Sequence, residues 1–191
     1  MVLIHLSRVV PTLFRGAVLK PQAGAGVTAP HVYTARANPL LDIDQFLHMN
    51  NAAYATHFEC ARWEMGASSG MLSKLARMQG AFVVASMTLR FRKEVRPMQS
   101  FEIHSSVIAA DERQVFIKQV LQEPNADRIM AGSLCRAVFR KGRESIPPMD
   151  VLRAVSRGVD ADMDELEKSM ASAVTAERDA LAAIEDALTR A

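Results

Sequence analysis

Acidic residues are missing from the first 41 positions, which carry four Lys or Arg and no Asp or Glu. Cysteine is scarce as well. Cys60 and Cys135 are too few for a disulfide scaffold and do not make a metal motif, so both are expected to be reduced thiols in a core. His48 and His57 stand nine residues apart with no third ligand nearby, which leaves no metal site in view. A membrane span needs about 20 apolar residues in a row. The apolar N-terminal stretch is interrupted by Arg8, Pro11 and Arg15, so no span is expected there. A strong basic excess is also lacking. The net charge is +2, and residues 160–191 carry nine acidic side chains against three basic ones, which argues against a nucleic-acid partner.

What is present describes an ordinary globular chain: 191 residues, 49% hydrophobic and 23% charged, enough for one domain with a real core. Residues 1–32 differ from the rest. Their apolar composition with spaced Arg8, Arg15 and Lys20 is that of a mitochondrial presequence. The alternative is a loosely packed basic arm on a protein that stays in the cytoplasm. Gln22–Pro30 is small and turn-rich and reads as a linker. The main domain is expected over residues 33–146, and Pro147-Pro148 closes it. A helical extension, residues 147–191, follows. Within it, Met163–Ala191 reads as one amphipathic helix about 43 Å long, packed on its own domain or on a neighbouring subunit.

The main domain is organised around Asp42–Arg62, DIDQFLHMNNAAYATHFECAR. Two carboxylates precede a polar turn, and apolar residues then recur at helical spacing through Phe58, Trp63 and Met65. Asparagine at the entry suits an N-cap. Asp44 is therefore expected beside a helix N-terminus, where free amides and the positive dipole end suit a developing oxyanion. The glycines at 66 and 70 offer a stop, and MLSKLARM makes a short second helix. The period then changes to two. Val83, Ala85, Met87, Leu89 and Phe91 alternate with Ser86, Thr88, Arg90 and Arg92, the pattern of a half-buried strand. Further strands are expected at 101–109, 114–122 and 128–140, after a first strand near Val32. A long helix followed by hairpin-linked strands is an α+β arrangement.

The motif D-x-D-x-x-x-H-M-N-N-x-x-Y with a following E-x-A-R resembles the hotdog-fold thioesterases of the 4-hydroxybenzoyl-CoA thioesterase type. Within them it is most similar to the eukaryotic group called thioesterase superfamily member six. Ala85–Ile103, Ala110–Arg113 and Ala137–Gly142 extend the likeness, which covers roughly residues 33–142. It implies a hotdog fold, an antiparallel sheet wrapped around the central helix. It also implies hydrolysis of an acyl thioester, acyl-CoA above all, by a homodimer with no cofactor beyond the coenzyme A of its substrate.

Carried onto this chain, the resemblance makes Asp44 the catalytic acid and the backbone amide near Asn51 the oxyanion donor. Without it, Asp44 reads as a turn cap, and Asp42 as a turn residue. His48 either orients the acid or is a satisfied polar residue at the helix entry. Asn50 either positions water or caps. Glu59 matches an acidic residue common in relatives and faces either the site or an arginine. Many active relatives have glycine where this chain has Leu47, so a side chain there is expected to narrow the approach. That feature favours the rival reading, a non-catalytic hotdog binding acyl-CoA or a protein partner; a dehydratase would need a different, His-centred motif. Arg90, Arg92, Lys93 and Arg96 at one strand end, with Arg136, Arg140, Lys141 and Arg143 at another, are candidates for coenzyme A phosphates. Charges guarding a sheet edge are the bland alternative. Met65, Met71 and Met87 suit either a pliable acyl pocket or plain core.

Overall fold

The computed structural model describes residues 2–156 apart from Ala23, Thr28 and Asp127. The helix expected over Met163–Ala191 lies outside the described residues. The chain begins with α1 (Val2–Phe14), continued by a π-helical turn (Arg15–Leu19), and enters the sheet with β1 (His31–Arg36). Helix α2 (Asn51–Ser69) and the short α3 (Met71–Arg77) come next. Five strands follow: β2 (Ala81–Phe91), β3 (Ser100–Ala110), β4 (Val115–Gln122), β5 (Ile129–Lys141) and β6 (Glu144–Ile146). The described part ends with α4 (Pro148–Ser156). All pairings are antiparallel, in the order β1-β3-β4-β5-β2, and β6 folds back onto β5.

Period-two patterning accounts for the sheet. In β3, Phe101, Ile103, Ser105 and Val107 are buried while the residues between them are half-exposed. In β5, Ala131, Ser133, Cys135, Ala137 and Phe139 do the same. The buried face packs on α2, whose Phe58 and Ala61 have no exposed surface. Helix α2 ends where Gly70 takes a left-handed φ of 86°, a conformation that glycine adopts without steric cost. The result is the expected hotdog arrangement, a curled antiparallel sheet holding one long helix.

Strand β2 departs from its expected alternation. Its register shifts between Val84 and Ser86, and Val83, Ala85 and Phe91 are exposed. The cause is position: among the described residues β2 is an edge strand paired only with β5, and a bulge at Val84–Ser86 breaks the alternation, leaving Val83 and Ala85 exposed while Phe82 and Leu89 pack against the core.

Residues 2–19, expected as an arm or targeting segment, lie along α2 instead of standing apart from the domain. Val9, Thr12 and Gly16 are buried, and Arg8 and Arg15 turn inward to Asp42 and Glu64. Helix α2 is consequently buried on nearly every side, which is why it can carry His57, Arg62 and Glu64 without solvent. Gly16 permits the close approach: a Cβ there would sit 2.6 Å from the Glu64 carbonyl oxygen. Gly16→Leu is expected to destabilise the fold by about 1–3 kcal/mol, read as a lower urea midpoint. An unchanged midpoint would contradict the packing of this segment on α2.

Candidate active site

The approach to α2 is a tight hairpin. Ile43 and Met49 form a bridge, the Asp44 amide donates to the His48 carbonyl at 3.0 Å, and the Leu47 amide donates to the Asp44 carbonyl at 3.1 Å. A hairpin of this length turns through a residue of positive φ, and Leu47 occupies that place at φ 60°. Glycine suits the position because it has no Cβ. The Leu47 side chain is 71% exposed and is not among the residues lining the neighbouring cavity, so it does not narrow the approach.

Asp44 sits in this hairpin with its side chain partly open. Oδ1 accepts the Phe46 amide at 2.9 Å, and Oδ2 lies 3.5 Å from His48 Nδ1. The His48 ring stacks on Phe46, 5.9 Å between centroids, which holds the imidazole beside the carboxylate. Both residues line a cavity of about 520 Å³ together with Phe46, Met49, Asn51, Tyr54, Phe91, Arg92, Lys93 and Glu94. Asn51 is the first residue of α2 and exposed. Amides in a helix's first turn lack intrahelical acceptors and carry the positive end of the dipole. Carboxylate, imidazole and helix N-terminus therefore share one cavity.

Asn50 is the N-cap. Its Oδ1 accepts the Ala53 amide at 2.8 Å, and its Nδ2 donates to the Asp42 carbonyl at 2.9 Å. Its side chain serves the helix entry and is not among the cavity residues. Glu59 is elsewhere. It accepts the Trp63 indole N–H at 3.2 Å and lines a second cavity of about 280 Å³ with Arg62, Met71, Leu72 and residues 82–84 of β2. Arg62 is buried there and donates to Gln119 Oε1 at 2.7 Å, and burial lowers its pKa. Gln119 in turn donates to the Phe58 carbonyl and Ser105 Oγ, tying α2 to the middle of the sheet. Met65 is core, Met71 lines the second cavity, and Met87 touches the Arg62 guanidinium through sulfur.

The two basic clusters are not one site. β2 and β5 are neighbours but antiparallel, so Arg90 faces Gly132 whereas Arg140 faces Ala81, at the other end of β2. Arg92 and Lys93 line the Asp44 cavity. Lys93 and Arg96 line an adjoining cavity of about 400 Å³, where Arg96 Nε lies 3.3 Å from Glu94 Oε1. Arg90 is exposed and lines neither cavity. Arg136 donates to Ser86 and Arg140 to the Arg143 carbonyl, at the far end.

Spacing alone missed the support beneath the hairpin. Asp42 is a turn residue, but one with no exposed surface. Its Oδ1 accepts Arg8 Nη2 at 2.7 Å, and its Oδ2 accepts the Asn38 amide at 2.8 Å and meets His57 Nε2 at 3.0 Å. Its carbonyl also takes the Asn50 amide at 2.8 Å. Burial pushes the Asp42 carboxyl up. The hydrogen bonds from His57, Asn38 and Arg8, with the charge of His57, more than offset this and hold it down at about 2. Tyr33 continues the network, its hydroxyl 3.4 Å from His57 Nδ1, and burial raises the phenol's pKa. The visible signal was a histidine at 57 and an acid at 64, both on a helix expected to be apolar inside.

A carboxyl held below its ordinary 3.8 stabilises the fold fully above that value and loses the contribution as pH falls towards about 2. Wild-type stability is therefore expected to drop across that acid window, and Asp42→Asn should lack that part of the fall. Asp42→Ala strands Arg8 and His57 and should cost about 3–5 kcal/mol at neutral pH. Denaturant unfolding at a series of pH values reads both. Identical acid limbs in wild type and Asp42→Asn would contradict the network.

The model of the family described as the thioesterase-like superfamily matches residues 39–164. Protein THEM6 of Danio rerio is 28% identical over 103 residues, 54% of this chain and 51% of that protein. The chain thus spans about half the length of the curated relatives it matches. The crystal structure of a probable thioesterase from Escherichia coli superposes with a TM-score of 0.60 at 21% identity, covering 64% of this chain and 93% of that one. A Staphylococcus aureus protein solved in complex with CoA superposes with a TM-score of 0.57 at 13% identity, covering 73% and 89%. These likenesses agree with the strand order and with the single long helix inside the sheet. From its motif, its fold and the match across residues 39–164, the chain belongs to the thioesterase-like superfamily of hotdog proteins.

Proposed function

We propose that this protein hydrolyses an acyl thioester, with acyl-CoA as the substrate, to the free acid and thiol. The observation that carries the reading is Asp44, held partly exposed in one cavity with His48 and the first residue of α2. In the reaction, Asp44 takes a proton from water as the water oxygen bonds to the thioester carbon. The carbonyl oxygen, now negative, is met by the first-turn amide of Asn51. The C–S bond then breaks, and the departing thiolate takes the proton that Asp44 had accepted, which restores the carboxylate. His48 orients the carboxylate, Asn50 fixes the helix start, and Arg92, Lys93 and Arg96 meet the coenzyme's phosphates. Superposition with a protein that holds CoA supports the ligand class. Glu59, in the other cavity, is the carboxylate that a different docking of the thioester would use.

The edge of the sheet supports a homodimer. Among the described residues β2 ends the sheet, with Val83, Val84 and Phe91 exposed along it. Such an edge is a template for pairing with another chain. A second copy there would also cover both cavities' β2 walls.

Asp44→Asn is nearly isosteric and keeps the hairpin. It is expected to lower free-thiol release from acyl-CoAs by at least about 100-fold without shifting the melting temperature. Unchanged turnover would move the acid to Glu59. Acyl-CoA binding without turnover in either protein would make this a binding module. For the edge, Val84→Lys is expected to convert a dimer to a monomer in sedimentation velocity; a wild-type monomer would overturn the pairing.

A further inference from the structure

Helix α1 and its π-helical continuation are apolar on two faces. The inner face holds Val9, Thr12 and Gly16 against the domain, and Arg8 and Arg15 turn inward to the buried carboxylates of Asp42 and Glu64. On the outer face Leu6, Val10, Phe14 and Val18 recur every fourth residue, which makes one continuous ridge. They are 47%, 57%, 58% and 57% exposed, and Leu19 follows at 65%. The exposed residues between them, Ser7, Pro11 and Ala17, carry no charge; the first exposed charge after the ridge begins is Lys20. A helix apolar all round is normally buried or in contact with lipid, and among the described residues nothing covers the ridge.

We propose that this ridge docks the protein on an anionic membrane surface, with α1 lying flat in the interface and its outer side chains reaching the acyl region. Three observations favour lipid. The first is charge. Arg8 and Arg15 are taken up by Asp42 and Glu64, and the exposed charges that remain between residues 6 and 41, Lys20 and Arg36, are both positive, so nothing in this segment repels anionic headgroups. The second is geometry. No helix among the described residues is long and apolar enough to cross a membrane. The inward ion pairs of Arg8 and Arg15 hold α1 parallel to the domain surface, where it can lie on a bilayer. The third is area. Thirteen residues make a helix about 20 Å long. Two such helices crossing touch over a turn or two, well short of the roughly 800 Å² per partner of a stable interface. A bilayer engages the whole ridge at once. The segment also lies outside residues 39–164, the region matched by the family model.

The test is co-sedimentation of the full chain with vesicles of phosphatidylcholine, alone or mixed with phosphatidylserine. Wild type is compared with the double variant Val10→Asn/Phe14→Ser and, separately, with Val18→Asn. These positions are exposed and leave Arg8, Arg15 and the inner face untouched; circular dichroism and thermal midpoints check that each variant is folded. Wild type is expected to sediment with vesicles, more strongly when phosphatidylserine is present, and the double variant to partition at least tenfold less. Absence of wild-type sedimentation overturns the proposal, as does equal sedimentation of the folded variants. If the variants lose self-association in sedimentation velocity while vesicle binding is absent throughout, the ridge is an interface between copies and the proposal is likewise overturned.

Discussion

A carboxylate without exposed surface is tolerated only when its charge is met by partners on several sides, because desolvation costs more than a single ion pair returns. Asp42 is such a group. Arg8 reaches it from α1, His57 from α2 and an amide from the preceding loop. Its own carbonyl then holds Asn50, the residue that starts α2. One side chain thus joins the N-terminal helix, the central helix and the hairpin carrying Asp44. Glu64 repeats the device two turns further along α2, between Arg15 and His31. The two buried acids explain how a segment with no acid of its own becomes part of the domain: its arginines are the counter-charges the central helix needs.

This division of labour separates the two aspartates of the D-x-D pair. Asp42 is enclosed and ionised by its partners, which suits support. Asp44 is partly exposed beside an imidazole and a helix N-terminus, which suits chemistry. Leu47 between them is a matter of backbone, since its place in the turn calls for a left-handed residue and its side chain points to solvent.

Much of the fold was legible because period-two patterning is strong where one sheet face is buried, as in β3 and β5. It misled at β2, where an edge strand exposes its apolar residues to the space beside the sheet. The helix entry was legible through Asn50 and the acids before it, since capping and dipole are local effects. The roles of Arg8, His57 and Glu64 were not, because a buried ion pair joins residues 34 or 49 positions apart and leaves no periodic trace. The basic clusters show the same limit. Only the antiparallel register reveals that Arg90 and Arg140 lie towards opposite ends of the β2–β5 pair.

The central claim is that Asp44 and the start of α2 act on one reacting carbonyl, and a structure with a non-hydrolysable acyl-CoA analogue tests it most directly. The account predicts the analogue's carbonyl oxygen within hydrogen-bond reach of the Asn51 amide, its reacting carbon facing the Asp44 carboxylate, and its phosphates against Lys93 and Arg96. A carbonyl seated beside Glu59 and Arg62, with the Asp44 cavity empty, would contradict it.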